Sequence, residues 1–314
     1  PSAHEFALQD MRFSLSERFR LARHAPGRPH STLAFFPGCQ LSASNPGQVK
    51  RLYRHLMESL AGGTGLMLGC CGAPAFWAGQ EEEFHRAVEG VLQDWEALGR
   101  PRLIAACSTC FRMFTEHLPE VPTISLWQLL EEIELPAPSA AASGLTLAVH
   151  DPCTTRPYPA VQDAVRRLLK RLEISVEELA LNRDKTECCG FGGLMQNANP
   201  DLSREVAARR AHRSPLDYLT YCAMCRDSLA AVGKRALHLL DVFFPDPEGG
   251  EPAARPRPGW SERQENRARL RDSLTTELWG ERQQAMPTYE RIRLIVAPEV
   301  ARLIDRRHIL DEDI

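Results

Sequence analysis

The chain has 314 residues, 43% hydrophobic and 25% charged, which excludes a disordered chain and leaves room for about two packed domains. Its 38 lysines and arginines against 41 acidic residues give a formal net charge of −3, which argues against a nucleic-acid partner held by bulk positive charge. No apolar run approaches the roughly 20 residues of a membrane helix, and the opening "PSAHEFALQDMRFSLSERFR" has no secretory pattern, so the expected location is cytoplasmic.

Residues 1–30 are polar and arginine-rich and read as a helical arm. At "TLAFFPGC" a short apolar run ends in a cysteine, the pattern of a buried strand. A proline-opened helix follows in "NPGQVKRLYRHLMESL", then a second strand, "GLMLGCC", ends at two adjacent cysteines. The charged helix "QEEEFHRAVEGVLQDWEAL" leads to a third strand, "RLIAACSTC", and "TISLWQLL" closes the unit. From residue 141 the order starts again. "LTLAVHDPC", "RPYPAVQDAVRRLLKRL", "KTECCGFGGL", "NPDLSREVAARRAHR", "LDYLTYCAMC" and "RALHLLDVFF" repeat the first series.

The ten cysteines belong to this repeat with none left over. Cys39, Cys70–Cys71, Cys107 and Cys110 match Cys153, Cys188–Cys189, Cys222 and Cys225, with offsets of 114, 118 and 115 residues. The expected fold is therefore α/β: a first unit at 31–140 and a second at 141–245, each with a parallel sheet of about four strands, related by a pseudo-twofold. Binding sites of such sheets lie beyond the carboxyl ends of the strands, so cysteines placed at three strand ends per unit converge on one rim facing a shared cleft. Residues 246–314 read as a Pro/Gly linker, a charged helix from 260 to 283, a strand in "RIRLIVAP" and the helix "PEVARLIDRR". The absent initial methionine and the capping-like "LDEDI" suggest a piece of a longer polypeptide, with 246–314 packing poorly because it belongs to an interface with missing sequence.

Ten cysteines in a reducing compartment point to metal or redox chemistry rather than disulfides. Zinc takes four ligands and would leave a thiol of each five idle. An ordinary cubane also takes four. A redox dithiol explains only the C-x2-C pairs. A cluster with five thiolates, one bridging two irons, uses every cysteine. Gly38, Gly72, Gly190, Gly192 and Gly193 let the backbone approach such a cluster, so that amides reach its sulfur. "GFGG" lacks the spacing of a dinucleotide fingerprint.

The pattern "PGC…CCG…CxxC" followed by "HDPC…CCG…CxxC" resembles the cysteine-rich CCG-domain proteins, among them the CCG-bearing subunit of heterodisulfide reductase and the iron–sulfur subunits of glycolate, lactate and glycerol-3-phosphate oxidising enzymes. The resemblance covers residues 31–245. It implies a non-cubane four-iron cluster in each unit, one held by Cys39, Cys70, Cys71, Cys107 and Cys110, the other by Cys153, Cys188, Cys189, Cys222 and Cys225. The ferredoxin motifs that precede CCG units in several relatives are absent from this sequence, and its C-terminal residues match no part of the family. Electrons would therefore come from a flavin- or ferredoxin-type partner or from sequence outside this chain, which is also where any flavin would sit.

The leading expectation is an oxidoreductase module that reduces a small disulfide at its clusters, with His150 as proton donor because it sits three residues before Cys153. A relay of electrons to a quinone or other acceptor is the first alternative. A zinc-stabilised scaffold without redox function is the second.

Overall fold

The structure is a computed structural model that describes residues 4–136, 144–246, 250–281 and 298–307. Helix α1 (Glu5–Leu15) and strand β1 (Leu21–Arg23) lead into the first unit. That unit runs β2 (Leu33–Phe36), α2 (Cys39–Ser44), α3 (Pro46–Ser59), β3 (Thr64–Leu68), α4 (Ala73–Trp77), α5 (Glu81–Ala97), β4 (Arg102–Ala105), α6 (Ser108–His117), β5 (Thr123–Ser125) and α7 (Leu126–Glu132). The second runs β6 (Thr146–His150), α8 (Pro159–Arg171), β7 (Ser175–Glu178), α9 (Met195–Ala198), α10 (Pro200–Ala211), β8 (Tyr218–Thr220), α11 (Ala223–Ala230), β9 (Ala236–His238) and α12 (Leu239–Phe243). Helices α13 (Trp260–Trp279) and α14 (Pro298–Arg307) follow.

Both units build the same parallel sheet. In the first, β2 lies between β3 and β4 with β5 outside; in the second, β6 lies between β7 and β8 with β9 outside. The earliest strand of each unit is central, so the chain crosses to one side and then the other, which creates a switch point beside that strand. Cys39 and Cys107 follow the two strands that flank the first switch point, β2 and β4. Cys153 and Cys222 follow β6 and β8 at the second. The registers agree residue by residue: Phe36 pairs with Ala105, and His150 with Thr220.

Helix starts repeat as well. Asn45 precedes Pro46 and its side chain accepts from the Gln48 amide at 3.1 Å, while Asn199 precedes Pro200 and accepts from Leu202 at 3.0 Å. Proline at the first helical position and asparagine before it each satisfy or remove an orphan donor.

The units meet reciprocally. Helix α7 packs on α8, and the equivalent α12 meets α3 through Gln48 and Asp241. Helix α2 packs on α11, and the equivalent turn Cys153–Thr155 packs on α6. Contacts exchanged in this way are those of an approximate twofold. Trp127 of α7 meets Tyr221 edge-on at 5.8 Å inside one apolar core that runs through both units.

Two expectations about the flanks are corrected. The arm at 1–30 is not only helical, because β1 adds antiparallel to β3 with Leu21 opposite Leu68 and covers an edge of the first sheet. Three residues carry too little pattern to announce a strand. The C-terminal helix α13 does not hang free either. Leu270 and Leu274 enter the main core, and Arg267 is fully buried. Arg267 Nη2 donates to Asp10 Oδ2 of α1 at 2.8 Å, and Arg263 pairs with Asp227 of α11. A mostly charged helix packs because other segments supply the partners that buried charges require. Helix α14 forms where "PEVARLIDRR" places it. The expected strand at 291–297 and the "LDEDI" end lie outside the described residues.

Candidate metal centres

The fold brings the ten cysteines into two matching chains of contact. In the first unit Cys39 Sγ lies 3.6 Å from Cys70 Sγ, and hydrogen-bond contacts continue from Cys70 to Cys71, Cys110 and Cys107. In the second the order is Cys153, Cys188, Cys189, Cys225, Cys222, position for position the same. All ten line one cavity of about 1000 Å³, and the two chains face each other at Cys107 and Cys222. None forms a disulfide.

Different devices hold equivalent cysteines. Cys70 follows β3 after Gly69 alone, whereas Cys188 stands ten residues beyond the last residue of β7, Glu178. The expectation of cysteines at three strand ends thus holds in the first unit and fails at one place in the second. There the intervening loop hangs on Asp151, which is fully buried. Its carboxylate accepts from the Arg183 amide at 3.0 Å, from Tyr221 Oη at 2.7 Å and from Arg166 Nη2 at 2.9 Å. Its carbonyl accepts from Thr186 Oγ1 at 2.9 Å. Burial alone would raise the Asp151 carboxyl, but the Arg166 charge and these donors hold it below the usual range.

Backbone reaches the sulfurs directly. The Gly190 amide donates to Cys188 Sγ at 3.3 Å. At Gly38, where φ is 81° and ψ 151°, an added Cβ would stand 3.0 Å from Cys110 Sγ. At Gly192 it would stand 3.8 Å from both Cys153 Sγ and Cys188 Sγ.

The thiols share protons unevenly. In the first group S–H donation from Cys110 and Cys70 lowers Cys71 to about 6, and donation from Cys110 lowers Cys107. Cys39 and Cys110, the partners that keep their protons, are pushed well up, as is buried Cys70. The second group agrees at the outer positions, with Cys222 lowered by Cys225 and Cys153 and Cys225 raised, but inverts the adjacent pair: Cys188 is lowered by donation from Cys153 and Cys189, and Cys189 is raised. Burial and mutual S–H donation thus push most of these thiols toward the protonated form, and deprotonating all five requires a bound cation. The donor set fits an iron–sulfur group better than a single ion, which would use four of the five.

His150 is wholly buried at the end of β6. A ring nitrogen lies within 4.8 Å of both Cys189 and Cys225 sulfurs. Nδ1 accepts from Arg210 Nε at 3.0 Å, and Nε2 has no partner among the described residues. Burial, then the Arg210 charge, lowers the imidazole to about 3, so it stays neutral. Among the residues that sequence reasoning passed over, Asp151 was adjacent to a marked motif, whereas Asp10, Arg210 and Arg267 gave no signal. Arg267 Nε donates to the Cys39 carbonyl at 3.0 Å, which ties α13 to the first sulfur group.

The CCG cysteine-rich domain model matches residues 33–115 and again 147–229, together more than half of the chain. The chain belongs to the CCG cysteine-rich domain family. It is 27% identical over 213 residues to an uncharacterized iron-sulfur protein of Methanocaldococcus jannaschii, covering 63% of this chain and 41% of that protein. It is 23% identical over 242 residues to one of the subunits of fumarate reductase (CoM/CoB) from Methanothermobacter marburgensis, covering 69% and 47%. Against one of the subunits of dihydromethanophenazine:CoB–CoM heterodisulfide reductase from Methanosarcina mazei, identity is 28% over 179 residues, covering 51% and 43%. The chain thus spans less than half the length of these relatives. Among the described residues, no helix is long and apolar enough to cross a membrane.

Proposed function

We propose that this chain is the iron–sulfur module of a cytoplasmic oxidoreductase, holding two non-cubane four-iron clusters and reducing a disulfide-type substrate. Cys39, Cys70, Cys71, Cys107 and Cys110 would hold one cluster; Cys153, Cys188, Cys189, Cys222 and Cys225 would hold the other. The observation that carries this reading is the pair of identically ordered five-sulfur chains on one cavity. The names of two relatives support the substrate class, since both name CoM and CoB and one names a heterodisulfide.

Bound clusters of this kind supply single electrons, and cleaving a disulfide to two thiols takes two electrons and two protons. The chain's own residues do the rest. Cys107, Cys153 and Cys188 are the half-buried sulfurs, so each group opens at least one sulfur to the cavity. Arg156 lines the same cavity with its guanidinium donating to the Thr186 carbonyl, and its charge favours an anionic substrate, whereas Arg112 and Arg204 there are paired with Glu116 and Asp201. A flavin- or ferredoxin-type partner would deliver the electrons.

A relay to a quinone is the second reading, favoured by the direct approach of the groups at Cys107 and Cys222. The test is anaerobic reconstitution followed by iron and sulfide assay, EPR, and turnover of 2-hydroxyethyl disulfide and of a soluble quinone with a reduced viologen. Iron, sulfide and disulfide turnover are expected. Quinone turnover alone would select the relay, and bound zinc without iron uptake would select a scaffold and overturn both redox readings.

A further inference from the structure

The two units place different side chains against equivalent sulfurs. Phe36 ends β2 as His150 ends β6, each paired with the matching residue of the neighbouring strand, Ala105 or Thr220. Phe36 packs with Cys71 and Cys110 in an apolar cluster that α5 completes with Val91 and Trp95. His150 instead has a ring nitrogen within 4.8 Å of Cys189 and Cys225, the equivalents of those two cysteines. Helix α10, the second helix after Cys188–Cys189 as α5 is after Cys70–Cys71, supplies Arg210 in place of apolar side chains.

The tautomer of His150 follows from its partner. An arginine Nε only donates, so Nδ1 of His150 is the acceptor and the proton of the neutral ring sits on Nε2. That N–H is buried and without a partner among the described residues, which costs free energy unless something in the space the ring shares with Cys189 and Cys225 accepts from it. Arg210 is itself held in place, since Nη1 donates to the Ala180 carbonyl at 2.8 Å and lies 3.5 Å from Glu187 Oε2. The geometry describes a fixed donor rather than a proton shuttle, because the ring has no contact with solvent.

We infer that His150 Nε2–H donates a hydrogen bond to a sulfur of the second centre and sets its reduction potential above that of the first, whose matching position is Phe36. A donor to cluster sulfur stabilises the more negative, reduced state, and hydrogen bonds to sulfur are among the levers that set such potentials. The second centre is then the electron acceptor of the pair, and His150 is a positioning residue, fixed by Arg210. This rests on the reading that both units hold iron–sulfur groups.

The experiment is a potentiometric titration of the full chain, reconstituted anaerobically and followed by EPR, with pulsed ENDOR before and after exchange into D2O. The parent is expected to give two separate midpoints and an exchangeable proton coupled to the higher one. His150→Phe is expected to move the higher midpoint down toward the other and abolish that coupling. His150→Gln, which keeps an N–H, is expected to restore part of the shift, and Phe36→His to raise the lower midpoint. Unchanged midpoints in His150→Phe, no exchangeable coupling in the parent, or a directly bound histidine nitrogen would each overturn the inference while leaving the two-cluster reading in place. A parent chain that takes up no iron would overturn both. Should His150→Phe lose its second centre, the proton coupling in the parent still decides.

Discussion

Beside Cys71 and Cys110 of the first sulfur group the wall is hydrocarbon, with Phe36, Val91, Trp95, Met113 and Phe114 packed there, while the buried Arg267–Asp10 pair stands by Cys39. Beside Cys189 and Cys225, their equivalents in the second, the wholly buried His150 stands within 4.8 Å and is held by Arg210, with Phe191 and Met224 completing the wall. Yet the sulfurs themselves keep one order of contact in both. Sulfur placement depends on strand order and on turns at the switch point, which a duplication copies whole. The wall depends on single side chains and is free to diverge. Two centres with one ligand pattern and two environments can therefore sit at different potentials.

The largest expected effect removes one centre at a time. Cys71→Ser and Cys189→Ser each delete a central link of one five-sulfur chain, and each should lose about half of the iron bound by the parent. The two variants should retain different EPR signals, because the surviving centres have different walls. Identical residual spectra would break the comparison, and full iron content in either would remove that cysteine from its site.

The next effect separates the supports. Asp10→Asn leaves Arg267 buried without its counter-charge, which should cost about 3–5 kcal/mol in denaturant unfolding. Since Arg267 also holds the Cys39 carbonyl, iron loss should be confined to the first centre. Asp151→Asn should cost about 1.5–3 kcal/mol, the worth of a charged hydrogen bond, and release iron from the second centre only. Iron loss from the same centre in both variants would show that the supports are not independent.

Acid should act through the same two carboxylates. At Asp10 burial pushes the carboxyl up, but Arg267 and Gln40 more than offset it, so its value lies below the ordinary 3.8. Asp151 is likewise depressed. A group depressed in the folded state contributes stability that is present above its unfolded value and lost as pH falls through the folded one. Unfolding free energy of the metal-free chain should therefore decline below about pH 4, and Asp10→Asn should flatten part of that decline. An unchanged pH slope in that variant would remove Asp10 from the account.

Much of this was legible in the sequence because cysteines are rare and their spacing repeated. Apolar runs ending at Cys39, Cys107, Cys153 and Cys222 placed four strands and the rim they share. The loop before Cys188 was not legible, since its path depends on Asp151, Thr186 and Arg183 meeting across more than thirty residues of sequence. Helix α13 misled because charge was read as exposure; Arg263 and Arg267 are buried only because Asp227 and Asp10 meet them. No local pattern encodes such a meeting.

The smallest expected effects compare two glycines that touch the two groups differently. Gly38 has φ 81° and ψ 151°, a region essentially closed to side chains, and its Cβ would stand 3.0 Å from both Cys107 Cβ and Cys110 Sγ. Gly38→Ala should cost about 1–3 kcal/mol even without metal, because the strain is in the backbone. Gly192 lies outside the left-handed region, and its Cβ would meet Cys153 and Cys188 sulfurs at an ordinary 3.8 Å. Gly192→Ala should therefore leave metal-free stability within about 0.5 kcal/mol of the parent. Its effect should emerge only on loading, when the methyl competes for the space beside two ligands, as slower iron uptake at the second centre. A Gly192→Ala chain that unfolds as readily as Gly38→Ala would mean that this loop is strained without metal. A chain that loads at the parental rate would mean that the group beside Cys153 and Cys188 sits farther from the loop than the sulfur positions imply.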